Sequence, residues 1–281
     1  MELFDNHAHY NDQKFDEDRE EIINKIYESG VTKFICAGYS VDSSIKALEI
    51  ANKYNFIYTT AGISPNDIPG KNQDEDLEGK SESEKQKLFT ECMQIVDNQL
   101  KKIEEIAINE KVVAIGEIGL DYYWNKQNKE LQKQVFIKQI ELANKLNLPI
   151  VIHTREAVMD TLDILKNIKP TIKPGVFHCC PLNVELVKEA LKLGFYISFA
   201  GPVTFKNSKN AREIIQMVPL EKMLIETDSP YLAPEPVRGT RNDSRNVRYI
   251  AEKIAEYKGI TTEIVAKKTY ENALKIFEIK K

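Results

Sequence analysis

The sequence predicts a (β/α)8 barrel, or TIM barrel, on three observations. Eight short apolar runs alternate with amphipathic segments along 281 residues, and this alternation implies parallel strands joined by crossover helices. The runs are rich in Val, Ile and Phe, as expected for strands covered on both faces. Eight such units in a chain of this length are typical of the barrel. A doubly wound open sheet is the main alternative, but no GxGxxG turn follows the first run.

The apolar runs are predicted as the eight strands. They cover residues 3–7, 32–38, 56–63, 112–117, 149–154, 174–179, 195–201 and 222–228. In a barrel of this kind the chemistry lies at the carboxyl ends of the strands. A functional site is therefore predicted among the last residues of these runs.

Helices are predicted between the strands from apolar positions spaced three and four residues apart. Leu131, Val135, Leu142 and Leu146, for example, form one stripe. The predicted helices cover residues 16–29, 41–54, 88–109, 127–146, 158–166, 183–193 and 211–217. After the last strand, apolar residues at 247, 250, 251 and 254 indicate one more helix, and residues 262–277 an extra C-terminal helix.

One polar segment interrupts the pattern after the third strand. Residues 73–87 read QDEDLEGKSESEKQK, with six acids and three lysines. This composition predicts a solvated, mobile insertion at about residues 70–87. No internal repeat or second domain is evident, so residues 1–281 are expected to form a single domain.

The composition restricts the class of protein. Hydrophobic residues make up 42% and charged residues 29% of the chain, as in a globular protein with a large core. Neither a membrane-spanning run nor a signal peptide is present, so a cytoplasmic protein without membrane contact is expected. The four cysteines form no CxxC pair, which fits free thiols in a reducing compartment. The net charge of −4 provides no general basic surface for nucleic acid.

All four histidines and two carboxylates lie at predicted carboxyl ends of strands. These residues are His7, His9, Glu117, His153, His178 and Asp228. Side chains two apart on a strand share a face, so the HxH of the first strand directs both imidazoles into the barrel mouth. Imidazole and carboxylate ligands suit zinc, manganese and similar divalent ions. Six ligands exceed one tetrahedral site and favour two metal ions, with Glu117 as the bridge.

These residues lie in stretches that resemble a known family, the TatD-type metal-dependent deoxyribonucleases of the amidohydrolase-like barrels. The stretches are DNHAHYND, AIGEIGLDYYW, PIVIHTREAVMDTLDILK, GVFHCC, GFYISFAGPVTFKN, MLIETDSPYLAPEPVRGTRN and YENALKIF. The resemblance implies that the same six residues bind metal. It also implies a nuclease that hydrolyses DNA phosphodiester bonds exonucleolytically, on single strands or 3′ ends.

The expected mechanism uses two divalent ions, Mg, Mn or Zn, to activate a water molecule. His153 and His178 would hold one ion, His7, His9 and Asp228 the other, and Glu117 would bridge them. Asp228 would also accept the proton of the attacking water. Glu117 and Asp228 are therefore the predicted catalytic residues.

Basic and aromatic residues near the strand ends are candidates for substrate contacts. The basic candidates are Arg155, Lys206, Arg238 and Arg241, for which ordinary surface charge is the alternative. Tyr122, Tyr123, Trp124 and Tyr231 are candidates to stack on unpaired bases, with packing as the alternative.

Two loops depart from the pattern of the family. Where the family commonly has GIHPH after the third strand, this chain has Ser64 and Asn66 in place of the histidines. Where HCFTGS is common after the sixth strand, Cys179 and Cys180 follow His178. Both loops border the expected substrate, so the departures bear on substrate preference.

Two other functions fit the same residues. A small-molecule amidohydrolase, lactonase or phosphotriesterase would use the same metal site with a different pocket. A metal-loaded barrel without catalysis would instead bind a partner, with the acidic segment at 73–87 as the docking site.

Overall fold

Eight parallel strands form one sheet in the order β1 to β8. A computed structural model describes residues 1–69, 79–124, 126, 128–168 and 173–280. The strands are β1 (Leu3–Ala8), β2 (Val31–Ala37), β3 (Ile57–Ala61), β4 (Val112–Asp121), β5 (Ile150–Arg155), β6 (Val176–Phe177), β7 (Tyr196–Phe199) and β8 (Met223–Ile225). An isolated bridge between Ala8 and Ser229 nearly closes the sheet. The prediction of a (β/α)8 barrel is confirmed.

Helices alternate with the strands and form the outer layer. In the part of the chain that the structure describes they are α1 (Arg19–Glu28), α2 (Val41–Lys53), α3 (Glu82–Ala107), α4 (Lys129–Leu146), α5 (Val158–Asn167), α6 (Val184–Lys192), α7 (Ala211–Met217), α8 (Val247–Lys258) and α9 (Thr262–Ile276). The extra C-terminal helix is α9. Among these described helices, none combines the length and the apolar character needed to cross a membrane.

The long helix α3 begins earlier than the sequence predicts. It starts at Glu82, so it includes residues 82–87, which the composition assigns to the polar insertion. The Ser81 side chain accepts from the Glu84 backbone N–H, and the Glu84 side chain accepts from the Ser81 backbone N–H. This capping box satisfies two amide groups at the start of the helix. Residues 70–78 of the predicted insertion lie outside the described residues.

Strand β4 continues four residues past its predicted end, up to Asp121. Gly119 makes this extension possible because it pairs with His153 of β5 and has a φ of +140°. A Cβ atom at Gly119 would lie 2.0 Å from the carbonyl oxygen of His153. Only glycine therefore allows β4 and β5 to run side by side at the carboxyl end of the barrel.

The amino-terminal end of the barrel is filled by apolar side chains. Phe4, Val113 and Val151 of the strands form one buried cluster with Phe277 and Ile279 of the C-terminal segment. The ring of Tyr270 in α9 meets the ring of Phe4 edge to face, with centroids 5.8 Å apart. The C-terminal segment thus closes the floor of the barrel, and the polar strand ends face the opposite side.

Candidate metal centre

The six residues selected from the sequence meet at the carboxyl end of the barrel. His7 lies in β1, Glu117 in β4 and His153 in β5. His9 and His178 directly follow β1 and β6, and Asp228 lies three residues after the end of β8. Four of the side chains are buried, whereas those of His153 and Asp228 are partly exposed.

Glu117 lies between two groups of imidazoles and presents one carboxylate oxygen to each. Its Oε1 lies 3.0 Å from His153 Nδ1 and 3.4 Å from His178 Nε2. Its Oε2 lies 3.4 Å from His7 Nε2 and 3.8 Å from His9 Nε2. Asp228 Oδ1 joins the second group at 3.2 Å from His9 Nε2. The arrangement is that of a central carboxylate with a donor set on either side.

His7 is close to both groups. Its ring stacks on that of His178, with centroids 4.0 Å apart. Potential ligand atoms of His7, Glu117 and His178 all lie within 4.8 Å of one another, and so do those of His7, His9 and Asp228. Two cation-sized groups of donors therefore share His7.

Three of the four imidazoles have their orientation set by a partner on the outer side. His153 Nε2 lies 2.9 Å from Asp121 Oδ2, and His178 Nδ1 lies 3.2 Å from Glu226 Oε1. His9 Nδ1 lies 3.3 Å from the carbonyl oxygen of Ala37. The nitrogens directed at the centre are consequently Nδ1 of His153 and Nε2 of the others. Such outer partners fix the orientation and the tautomer of a ligating imidazole.

Asp121 and Glu226 contact the imidazoles of the candidate centre and were not predicted from the sequence. Both are fully buried. Asp121 Oδ1 accepts hydrogen bonds from the backbone N–H groups of Tyr123 and Trp124, and Glu226 accepts from the Cys179 N–H and the Ser198 hydroxyl. For Glu226 the available signal was a carboxylate inside the apolar run 222–228, because a buried charge must have a partner. Asp121 lies beyond the predicted end of its strand and gave no such signal.

A third buried carboxylate, Asp5, joins β1 to the segment that carries Asp228. Its Oδ1 accepts from the Thr227 backbone N–H at 2.9 Å, and its Oδ2 accepts from the hydroxyls of Thr227 and Ser244. Burial raises the pKa of Asp5 to about 7, although these hydrogen bonds oppose the rise. Asp5 thus holds the first strand next to the residue that follows the last strand.

The carboxylates and imidazoles at the centre shift one another's pKa values. Burial alone would raise the pKa of Glu117, but the charge of His178 and hydrogen bonds from the imidazoles hold it well below its usual value. Burial lowers the pKa of His153, yet its bonds to Asp121 and Glu117 outweigh this and raise it to about 9. At neutral pH the protonated imidazole of His153 therefore offsets part of the carboxylate charge, and a cation that binds to this imidazole would have to displace the proton.

A cleft of about 530 Å³ opens over the centre. Its lining includes His9, Glu117 and Asp228 together with Tyr39, Trp124, Tyr231, Asp12, Ser64, Asn66 and Asp67. Ser64 and Asn66, which replace the histidines common in the family, thus border the cleft. The Ser64 hydroxyl donates to Asp67 at 2.6 Å, and Asn66 Nδ2 donates to Asp121 Oδ2 at 3.1 Å. In the loop after β6, which also differs from the family pattern, Cys179 is half-buried and Cys180 is buried.

The four basic residues predicted to contact substrate are exposed, and none of them lines this cleft. The guanidinium of Arg155 lies 3.7 Å from the centre of the Tyr123 ring. Arg241 pairs with Asp18 through both terminal nitrogens. The other two, Arg238 and Lys206, lie in the loops that follow β8 and β7. Their role in substrate binding stays a prediction.

The fold and the cluster define a class of protein, the metal-dependent hydrolases built on a (β/α)8 barrel. A family model described as TatD related DNase matches residues 4–278. The chain therefore belongs to the TatD-related DNase family, and the resemblance of its motifs to that family is confirmed.

One relative matches nearly the whole chain and another matches about two thirds of it. A metal-dependent hydrolase of Bacillus subtilis, YabD, is 40% identical over 277 residues, which are 99% of each chain. YcfH of Escherichia coli, also named a metal-dependent hydrolase, is 44% identical over 180 residues, 64% of this chain and 68% of its own.

Solved structures show the same fold. The TatD homologue YjjV of Escherichia coli superposes with a TM-score of 0.83 at 23% identity, covering 99% of this chain and 98% of its own. An amidohydrolase of Saccharomyces cerevisiae gives a TM-score of 0.85 at 18% identity, covering 98% of this chain and 99% of its own.

Proposed function

We propose that this protein is a deoxyribonuclease that hydrolyses DNA phosphodiester bonds with the help of two divalent cations. The observation that carries the proposal is the position of Glu117, whose Oε1 faces His153 and His178 and whose Oε2 faces His7 and His9. Membership of the TatD-related family supports DNA as the substrate class. The proposed mode is exonucleolytic, on single strands or 3′ ends.

The donor atoms present fit divalent cations. Imidazole nitrogens and carboxylate oxygens suit Zn and Mn, and the carboxylate oxygens of Glu117 and Asp228 are also ligands that Mg accepts. His153 and His178 would hold one cation, and His7, His9 and Asp228 the other, with Glu117 between them. When bound, such cations lower the pKa of water and neutralise charge on phosphoryl oxygens.

The chain's own residues orient the reaction and accept the proton. Burial would raise the pKa of Asp228, but the hydrogen bond from His9 and the charges of the nearby histidines keep it below its usual value. Asp228 is therefore ionised at neutral pH and can accept a proton from water in the cleft. Asp121 and Glu226 hold the rings of His153 and His178 in position.

The test is hydrolysis of end-labelled single-stranded DNA by purified protein supplied with Mg, Mn or Zn. We expect mononucleotides released from one end, and complete loss of activity in Glu117→Ala and Asp228→Ala proteins that remain folded. Asp97→Ala, at an exposed ion pair with Lys138, is the matched control and should retain full activity. Activity of Asp228→Ala at saturating metal would exclude Asp228 as the base, and inactivity of the wild type with every cation would refute the function.

A small-molecule hydrolase is the second candidate, because of the charge of the cleft. Among the described residues that line it there is no Lys or Arg, whereas Asp12 and Asp67 are present. Negative charge at the mouth repels a polyanion and tolerates a neutral substrate. A panel of amides, lactones and phosphotriesters, assayed beside DNA, would reveal this activity.

A further inference from the structure

Three flat side chains lie together, and one of them, Trp124, lines the cleft. They are Tyr123, Trp124 and Arg155, here called the aromatic platform. The guanidinium of Arg155 lies 3.7 Å from the centre of the Tyr123 ring and 5.7 Å from that of Trp124. The Tyr123 and Trp124 rings meet edge to face at 4.8 Å. Trp124 is nevertheless 65% exposed. A large apolar surface that faces solvent next to a functional cleft is a candidate binding surface.

The platform is tied to the candidate metal centre by one side chain. Asp121 Oδ1 accepts from the backbone N–H groups of Tyr123 and Trp124 at 2.9 and 3.1 Å. Asp121 Oδ2 lies 2.9 Å from His153 Nε2. The backbone N–H of Tyr122 also donates to the carbonyl oxygen of Arg155. The position of the platform relative to His153 is therefore fixed by hydrogen bonds.

The other aromatic residues of the cleft, Tyr231 and Tyr39, also have partners for their rings and are less exposed than Trp124. Lys14 Nζ lies 4.2 Å from the centre of the Tyr231 ring, and the Tyr231 hydroxyl donates to Asp12. Tyr39 packs edge to face against His9, with centroids 5.5 Å apart. The indole of Trp124 is the aromatic surface in the cleft that is most accessible to a ligand.

We propose that the aromatic platform binds an unpaired nucleobase of the substrate on the indole of Trp124, beside the phosphodiester that is cleaved. This inference rests on the proposed deoxyribonuclease function. Stacking on an aromatic ring is insensitive to sequence because every base has a π face. It requires the base to be unpaired, so the platform selects single strands over duplexes. Arg155 holds Tyr123 by a cation–π contact and places a positive charge beside the cleft, whose described lining contains no Lys or Arg.

The first test uses the emission of Trp124, the single tryptophan of the chain. Wild-type protein in Mg²⁺ is titrated with a single-stranded phosphorothioate oligodeoxyadenylate and, in parallel, with an abasic phosphorothioate strand of equal length. We expect saturable quenching by the strand with bases. Because stacking contributes about 1–3 kcal/mol per base, the abasic strand should bind about 5- to 150-fold more weakly. Equal binding of both strands without quenching would overturn the proposal.

The second test separates binding from chemistry. Trp124→Ala should raise KM for single-stranded DNA about 5- to 150-fold, leave kcat nearly unchanged, and leave KM for the abasic strand unchanged. Trp124→Phe should retain most of the affinity. Ile108→Ala, which removes a side chain 75% exposed and outside the cleft, is the control and should behave as wild type.

The outcomes distinguish this inference from the function on which it rests. DNA hydrolysis with no quenching and an unchanged KM in Trp124→Ala would overturn the platform and leave the deoxyribonuclease function intact. Quenching by the strand with bases, but no hydrolysis with any cation, would support the platform and refute the function. Absence of both quenching and hydrolysis would overturn both.

Discussion

Replacing Asp121 by asparagine tests whether an outer carboxylate controls cation binding. Among the described residues, the groups that bond the Asp121 carboxylate are all donors: the Tyr123 and Trp124 backbone N–H groups, Asn66 Nδ2 and His153 Nε2. An asparagine at this position would direct its NH₂ group at some of these donors. The His153 ring would then lose its partner or adopt the tautomer with a proton on Nδ1, which faces Glu117.

The size of the effect follows from the bond that is lost. A hydrogen bond to a charged group contributes about 1.5–3 kcal/mol, which corresponds to about 10- to 150-fold in cation affinity. Loss of an outer partner of a metal-bound histidine typically costs 10- to 100-fold. We therefore expect Asp121→Asn to bind Mn²⁺ or Zn²⁺ at least about tenfold more weakly than wild type.

Titration calorimetry at a fixed pH of 8 measures this affinity, and circular dichroism checks the fold. Asp160→Asn is the matched control, because Asp160 accepts from the Tyr122 hydroxyl and pairs with Lys133 but has no contact with an imidazole among the described residues. It should bind cations as wild type does. A folded Asp121→Asn protein with wild-type affinity would refute the idea that Asp121 orients His153 for a cation.

Three further results are expected. The pKa of His153 is raised to about 9, and an imidazole must be neutral to bind a cation. The affinity for the cation should therefore rise about tenfold per pH unit between pH 6 and 9 for each proton displaced. Calorimetry that finds no pH dependence of the affinity would contradict this. Phe277→Ala should lower the free energy of unfolding by about 3–5 kcal/mol, because Phe277 is buried in the barrel floor; a change below 1 kcal/mol in denaturant titrations would contradict it. Arg155→Ala should raise KM for DNA more than it lowers kcat, and steady-state kinetics with an unchanged KM would remove Arg155 from the substrate site.

The sequence determines the barrel well because apolar runs and helical stripes depend on local residue types. It fails where tertiary pairing decides the structure. Gly119 and Asp121 interrupt the apolar pattern beyond the predicted end of β4, and pairing with His153 and Arg155 of β5 makes them part of the strand. The early start of α3 had a local signal, the capping box of Ser81 and Glu84, but the polar composition around it favoured a loop.

The six candidate ligands were predictable because each lies at the end of an apolar run. Their convergence is seen in the structure, while the assignment of cations to them stays a prediction. The roles of Asp121 and Glu226 could not be inferred in the same way. Each depends on which nitrogen of an imidazole it meets, and His153 directs its Nδ1 inward whereas His178 directs its Nε2. That choice is made by side-chain rotation, which residue spacing does not encode.

Because the floor of the barrel is closed, the candidate site has a single opening, the mouth of the barrel. Phe277 and Ile279 pack with the lower strand residues, so whatever reaches Glu117 must enter and leave through the same mouth. A long polymer cannot be threaded through such a pocket. A nuclease of this shape would release its strand after each cut, and would therefore work distributively. Shortening of a labelled population in step, with no fully digested molecules beside intact ones, is the product pattern that this geometry predicts.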